Sequence, residues 1–141
     1  PLSCDLVKTA NTYKTLIFTL SDQSPEKESR LGSLGVEVVR VGAGDNRRIA
    51  LLDVCLELAK REIMSVLVEG GGEVNSSLLK AGVIDKVVLF YGPLFIGGKN
   101  ASNLVAGKGI DFLRDAYKVD VVSVRKLKDD ICVEGYVHGN H

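Results

Sequence analysis

The sequence has 141 residues, of which 45% are hydrophobic and 26% charged, with 18 basic and 18 acidic side chains. That is one ordinary globular domain's worth of chain, long enough for a sizeable core. The balanced charge offers no basic block for a nucleic-acid partner, and no apolar run approaches the roughly 20 residues that cross a bilayer.

No charged leader followed by an apolar core opens the chain, which begins at Pro1 without an initiator methionine, as a fragment or a processed product would. Cys4, Cys55 and Cys132 are odd in number, widely spaced and form no CxxC pair. They read as free, buried thiols of a reducing cytoplasm, and no metal site is expected. His138 and His141 fall in the C-terminal tail and read as solvated or part of a frayed end.

In chain order, residues 1–12 leave a short helix and an irregular entry both open. Residues 15–20 (Thr-Leu-Ile-Phe-Thr-Leu) form a compact β-prone run closed by a polar segment. Residues 26–34 follow as a short helix with Gly35 as its stop. Residues 36–41 are a second strand, ended by Gly42-Ala43-Gly44-Asp45. Leu52, Cys55, Leu56, Ala59 and Ile63 then recur at helical spacing. That helix leads into a third strand over residues 65–69. Strand, helix, strand, helix, strand implies parallel pairing through crossovers.

A helix is expected over residues 73–81, with Gly82 as its C′ residue and Val83 supplying the accompanying apolar contact. Residues 86–91 are another strand. Gly92-Pro93 breaks it, and residues 100–109 form an irregular excursion before a short helix over 110–116. Tyr117, Val119 and Val121 alternate with polar residues, but Val122 and Val124 fall out of phase, as a bulge or two-sided burial would produce. Lys128-Asp129-Asp130 is a polar turn into Ile131, Val133 and Val137, giving a C-terminal antiparallel hairpin. The class is therefore α/β: a mostly parallel sheet flanked by helices and closed by that hairpin.

The chemistry concentrates in Val68-Glu69-Gly70-Gly71-Gly72-Glu73-Val74-Asn75-Ser76-Ser77. A β-branched run, a glycine turn and a helix start place unpaired backbone N–H groups and a partial positive charge at one point. Glycine lets an anionic group approach there without meeting a Cβ, so a phosphate on a cofactor or substrate is the ligand to expect. The plainer alternative is a tight strand-to-helix turn. No Gly-Lys-Ser/Thr follows, which disfavours a Walker-type phosphotransferase, and the GxGxxG of a Rossmann dehydrogenase is absent.

Val68-Glu69-Gly70-Gly71-Gly72, then Leu78 through Lys86, then Gly92-Pro93-Leu94-Phe95-Ile96-Gly97-Gly98, resemble one family closely. The residues from Gly107 to Phe112 and from Asp129 to Tyr136 extend the match over essentially the whole chain. The pattern is similar to the reductase domain of the bifunctional deaminase/reductase of riboflavin biosynthesis, a dihydrofolate-reductase-like fold. The resemblance implies that the chain is the C-terminal portion of that reductase domain, with earlier strands and a zinc deaminase domain upstream. No His-x-Glu with a downstream Pro-Cys-x-x-Cys occurs, so no deaminase chemistry is expected of these residues.

By the same resemblance the reaction is NADPH-dependent reduction of a phosphoribosylamino-pyrimidine to its ribitylamino counterpart. Glu69 would contact the substrate, accepting hydrogen bonds from ribityl hydroxyls or stabilising a cationic iminium. Gly71, Gly72, Glu73, Val74, Asn75 and Ser76 would line the cofactor phosphates, Glu73 through its N–H rather than its carboxylate. No proton donor stands out. Lys99 is in reach of a phosphate in principle, but reads as a solvated lysine. A homo-oligomer is also implied. The competing readings are a non-catalytic ligand-binding or assembly module, and a reductase of the same superfamily acting on another pterin or pyrimidine.

Overall fold

The computed structural model describes residues 1–22, 24–44, 47–98 and 101–138. Asp45, Lys99, Asn100 and His141 lie outside them. The chain divides into two compact units, Pro1–Val66 and Leu67–His141.

In the first unit a short helix α1 (Asp5–Lys8) precedes strand β1 (Thr15–Leu20), helix α2 (Pro25–Ser33), strand β2 (Val36–Val41) and helix α3 (Leu51–Lys60). β1 and β2 pair in parallel, Thr15 opposite Val36 through Leu20 opposite Val41. Pro25 begins α2, where its missing N–H costs nothing. Gly35, at φ +87°, ends it. The core of this unit is Val7, Ala10, Leu31 and Val36, with Ile17 and Val38 packed against it. Arg40 of β2 donates to Glu28 of α2 at 2.6 Å, and Arg61 joins Glu37 at 2.6 Å and Glu57 at 3.0 Å.

The apolar stripe of α3 differs from the sequence expectation. Leu52 and Leu56 are 54% and 61% exposed, and the better covered row is Leu51, Val54, Cys55 and Leu58. Both rows have helical spacing, so periodicity alone could not choose between them.

The second unit contains helix α4 (Gly72–Lys80), strand β3 (Lys86–Tyr91), a 3₁₀ turn (Leu113–Asp115) and the hairpin of β4 (Val119–Leu127) and β5 (Asp130–Val137). β5 is central, with β3 and β4 antiparallel on either side. The register slips between Val121 and Ser123, so Val122 is the extra residue of a bulge and the phase change in the sequence is accounted for. Lys128, at φ +57°, turns the hairpin.

α4 ends as the sequence predicts. Gly82, at φ +66°, donates its N–H to the Leu79 carbonyl at 3.1 Å, and Val83 donates to Leu78 at 3.3 Å. These are the two bonds of a Schellman stop.

The α/β class and the C-terminal hairpin stand, but parallel pairing among the described residues is confined to β1 and β2. Residues 65–69, expected as a further strand, enter neither sheet. Their apolar, β-branched composition suits a strand, but a strand exists only where a neighbour completes its ladder. The helix expected over residues 110–116 is the single 3₁₀ turn. All three cysteines are free thiols, yet only Cys132, 1% exposed, is buried; Cys4 and Cys55 are half-buried. His138 is not frayed: its ring meets the Asp120 carboxylate and its N–H donates to the Lys118 carbonyl at 3.1 Å.

Candidate phosphate cradle at the start of helix α4

The glycine triplet sits where the sequence places it, and each glycine meets different surroundings. Gly71 is the N-cap, extended at φ −76° and ψ 173°, with no capping side chain. Its carbonyl accepts the N–H groups of Val74 at 3.0 Å and Asn75 at 3.1 Å. Gly72 begins the helix, so its N–H lies in the first turn at the positive end of the dipole, which attracts an anion.

A Cβ on Gly70 would come within 2.9 Å of the Val74 side chain, and one on Gly72 within 2.4 Å of the Asn103 carbonyl oxygen. A Cβ on Gly71 would meet nothing within 4 Å. The first and third glycines are thus required by the protein's own packing. The middle one fronts open space.

Glu69 is exposed, and among the described residues its carboxylate has no hydrogen-bond or ion-pair partner. Glu69 is thus neither ion-paired nor part of a paired strand among the described residues. Glu73 lies in the first turn of α4, where the helix dipole favours an acidic side chain. Val74 packs over Gly70.

Asn75 and Ser76 turn toward the protein. The Asn75 amide Nδ2 donates to the Leu104 carbonyl at 2.9 Å. Ser76 is 7% exposed, and its Oγ is 3.2 Å from where a Gly107 Cβ would sit. Ala106 donates its N–H to the Gly72 carbonyl at 3.0 Å. Residues 103–107, read in the sequence only as part of an irregular excursion, thus lie against α4. The bond between Asn75 and Leu104 joins positions 29 apart, which no local pattern reports. The only hint is the small pair Ala106-Gly107, which permits close approach.

Two concavities lie elsewhere. One of about 230 Å³ sits at the opposite end of α4, lined by Leu79, Ala81, Ile84, Tyr117 and Val137. Lys80 lines it as well, but the negative end of the helix dipole opposes a phosphate there. The other, of about 390 Å³, lies at the carboxyl ends of β1 and β2. Its charges pair off: Arg40 with Glu28, Lys60 with Glu57, and the Asp53 carboxylate accepts the Gly42 N–H. Among the described residues no helix is long and apolar enough to cross a membrane, and no group of three metal-binding side chains occurs.

The model of the RibD C-terminal domain family matches residues 1–133. The riboflavin biosynthesis protein RibD of Actinobacillus pleuropneumoniae is 36% identical over 134 residues, covering 95% of this chain and 35% of its own. A 2,5-diamino-6-ribosylamino-4(3H)-pyrimidinone 5′-phosphate reductase of Methanothermobacter thermautotrophicus is 33% identical over 125 residues, covering 89% of this chain and 56% of its own. This chain therefore spans about a third of the bacterial relative and about half of the archaeal one. Among solved structures, a pyrimidine reductase-like protein of Corynebacterium diphtheriae superposes with a TM-score of 0.79 at 18% identity, covering 99% of this chain and 57% of its own. RibD of Acinetobacter baumannii superposes at 0.76 and 19% identity, covering 98% of this chain and 34% of its own. These likenesses establish the fold.

Proposed function

Because the chain belongs to the RibD C-terminal domain family, we propose that it carries the reductase portion of an enzyme of riboflavin biosynthesis. The reaction is reduction of 5-amino-6-(5-phosphoribosylamino)uracil to its ribitylamino product, with NADPH as the hydride source. The carrying observation is the open helix start at Gly71 next to a Glu69 carboxylate that has no partner among the described residues.

The residues present fit such a cofactor. The backbone at Gly71 and Gly72 offers N–H groups and a positive dipole end to its phosphates. Gly71, Gly72, Glu73, Val74, Asn75 and Ser76 all belong to this cradle, but the side chains of Asn75 and Ser76 are engaged with residues 103–107. The contacts offered to phosphate are therefore those of the backbone. Bound there, NADPH supplies the hydride and the protein supplies orientation and exclusion of water. Glu69 accepts hydrogen bonds from the sugar hydroxyls, holding the pyrimidine's ribosyl carbon in place. Charge development at the neighbouring nitrogen is also favoured by a carboxylate.

Calorimetry tests this with NADPH and NADH, on wild type and Gly71→Asp. NADPH binding that the substitution abolishes supports the cradle; equal binding by both proteins overturns it. Turnover assays with the aminouracil and with the diamino-pyrimidinone named for the archaeal relative decide between the two pyrimidines.

We also propose that the protein is a cytoplasmic homo-oligomer, with a deaminase domain as a partner in the full-length protein. Free thiols suit a reducing compartment. β3 and β4 are the outer strands of their sheet, and Val88 and Phe90 of the one and Val121 and Val124 of the other are exposed, surface that a second copy could cover. Light scattering that gives a monomer mass at working concentration refutes the oligomer.

A further inference from the structure

We infer that residues 103–107 form a strap that sets cofactor affinity at the start of α4, with Asn75 as its positioning residue. The inference rests on the cradle reading above and adds an element to it.

Gly72, Asn75 and Ser76 stand at i, i+3 and i+4 of one helix and therefore share a face. The strap meets that face at each of them. The Asn103 carbonyl oxygen occupies the space a Gly72 side chain would need. Ala106 donates to the Gly72 carbonyl at 3.0 Å, Asn75 donates to the Leu104 carbonyl at 2.9 Å, and Gly107 closes over the buried Ser76. The strap has no secondary structure of its own, so these contacts fix where it lies.

Gly72 is both the residue the strap grips and the first residue of the helix, at the end where the cradle reading puts the phosphate. A strap that drifts takes its grip off the first turn, and the donors lose their alignment. Binding and strap closure are then linked, and the linkage is reciprocal: a ligand that needs the closed strap must hold it closed. Asn75 acts through the Leu104 carbonyl and not by touching the ligand, which makes its effect one of affinity and not of chemistry.

The test compares wild type, Asn75→Leu and Asn75→Gln in the protein at its full natural length. Leucine keeps the side chain's shape without the donor, and glutamine restores an amide. KM for NADPH and kcat at saturating NADPH are measured together with hydrogen exchange at the Ala106 amide. In Asn75→Leu, KM is expected to rise about tenfold, the loss of one ordinary hydrogen bond, with kcat within about twofold of wild type. Ala106 should exchange faster in that variant, NADPH should slow its exchange in wild type, and Asn75→Gln should recover part of both effects. Faster exchange with unchanged KM overturns the strap, as does NADPH binding that leaves Ala106 exchange untouched. A wild type that binds no NADPH overturns the cradle reading and the strap with it.

Discussion

The Lys86 ammonium lies 2.7 Å from the Glu134 carboxylate and ties β3 to the central strand β5. Arg125 of β4 reaches the other oxygen of the same carboxylate, so one glutamate bridges all three strands of its sheet. Hydrogen bonds from Lys86 and then Arg125 hold the Glu134 carboxyl below the ordinary glutamate value, and the same bond raises the Lys86 ammonium. A depressed carboxyl stabilises the fold at neutral pH, and that contribution is lost as pH falls below about 4. Glu134→Gln should therefore lower the melting temperature by a few degrees at pH 7 and by clearly less at pH 3. Thermal scans across that range check this; an equal loss at both pH values would show that the bridge acts through packing and not charge.

The glycine triplet makes a sharper prediction, because its members do different things. Gly72→Ala places a Cβ 2.4 Å from the Asn103 carbonyl oxygen, a backbone atom that cannot swing aside. Overpacking of this kind costs about 1–3 kcal/mol. Gly71→Asp meets nothing within 4 Å and supplies a favoured N-cap side chain, so its stability should stay within about 0.5 kcal/mol of wild type or rise. Urea unfolding of both variants separates a glycine kept for packing from one kept clear for a ligand. A large loss of stability in Gly71→Asp would remove the reason for placing a phosphate there.

At the other end of α4, Gly82 sits at φ +66° with open space around the position of a Cβ. Gly82→Ala should cost about 1–2 kcal/mol, all of it from the left-handed backbone. Gly82→Asn should recover part of that cost, since asparagine tolerates this conformation better. Equilibrium unfolding of the pair checks the assignment, and equal stability of both variants with wild type would refute it.

These positions also show where a sequence can be read and where it cannot. The Schellman stop is a local event, set by residues within a few positions of one another, and was legible for that reason. The strand over Lys86–Tyr91 and the bulge at Val122 were legible in their own composition and phase, and β5 supplies the partner that makes them real. The strand expected at residues 65–69 fails because a ladder needs a second strand, a fact its own composition cannot carry. The stripe on α3 was misread because both rows of the helix are apolar. In the cradle, the triplet was visible as a glycine turn, yet the division of labour within it was not. Asn103, Leu104 and Ala106 create that division from far along the chain, and nothing in Gly70-Gly71-Gly72 announces them.

Glu69 carries the last prediction. Its carboxylate is exposed, has no partner among the described residues, and stands two residues before the N-cap of α4. Removing a structural ion pair there is not at issue, so Glu69→Gln should leave the melting temperature unchanged within about 1 °C. A carboxylate that accepts hydrogen bonds from the pyrimidine's sugar should make itself felt in turnover. Hydrogen bonds to a charged group are worth about 1.5–3 kcal/mol, so kcat/KM for the pyrimidine should fall roughly 10- to 150-fold. The Kd for NADPH should stay within about twofold, because a neutral amide in this place leaves the backbone donors of the cradle intact. Steady-state kinetics with the pyrimidine varied, alongside calorimetry with NADPH, separates the two effects. A parallel loss of NADPH affinity would move Glu69 from the substrate side of the site to the cofactor side, and unchanged kcat/KM would remove it from the site altogether.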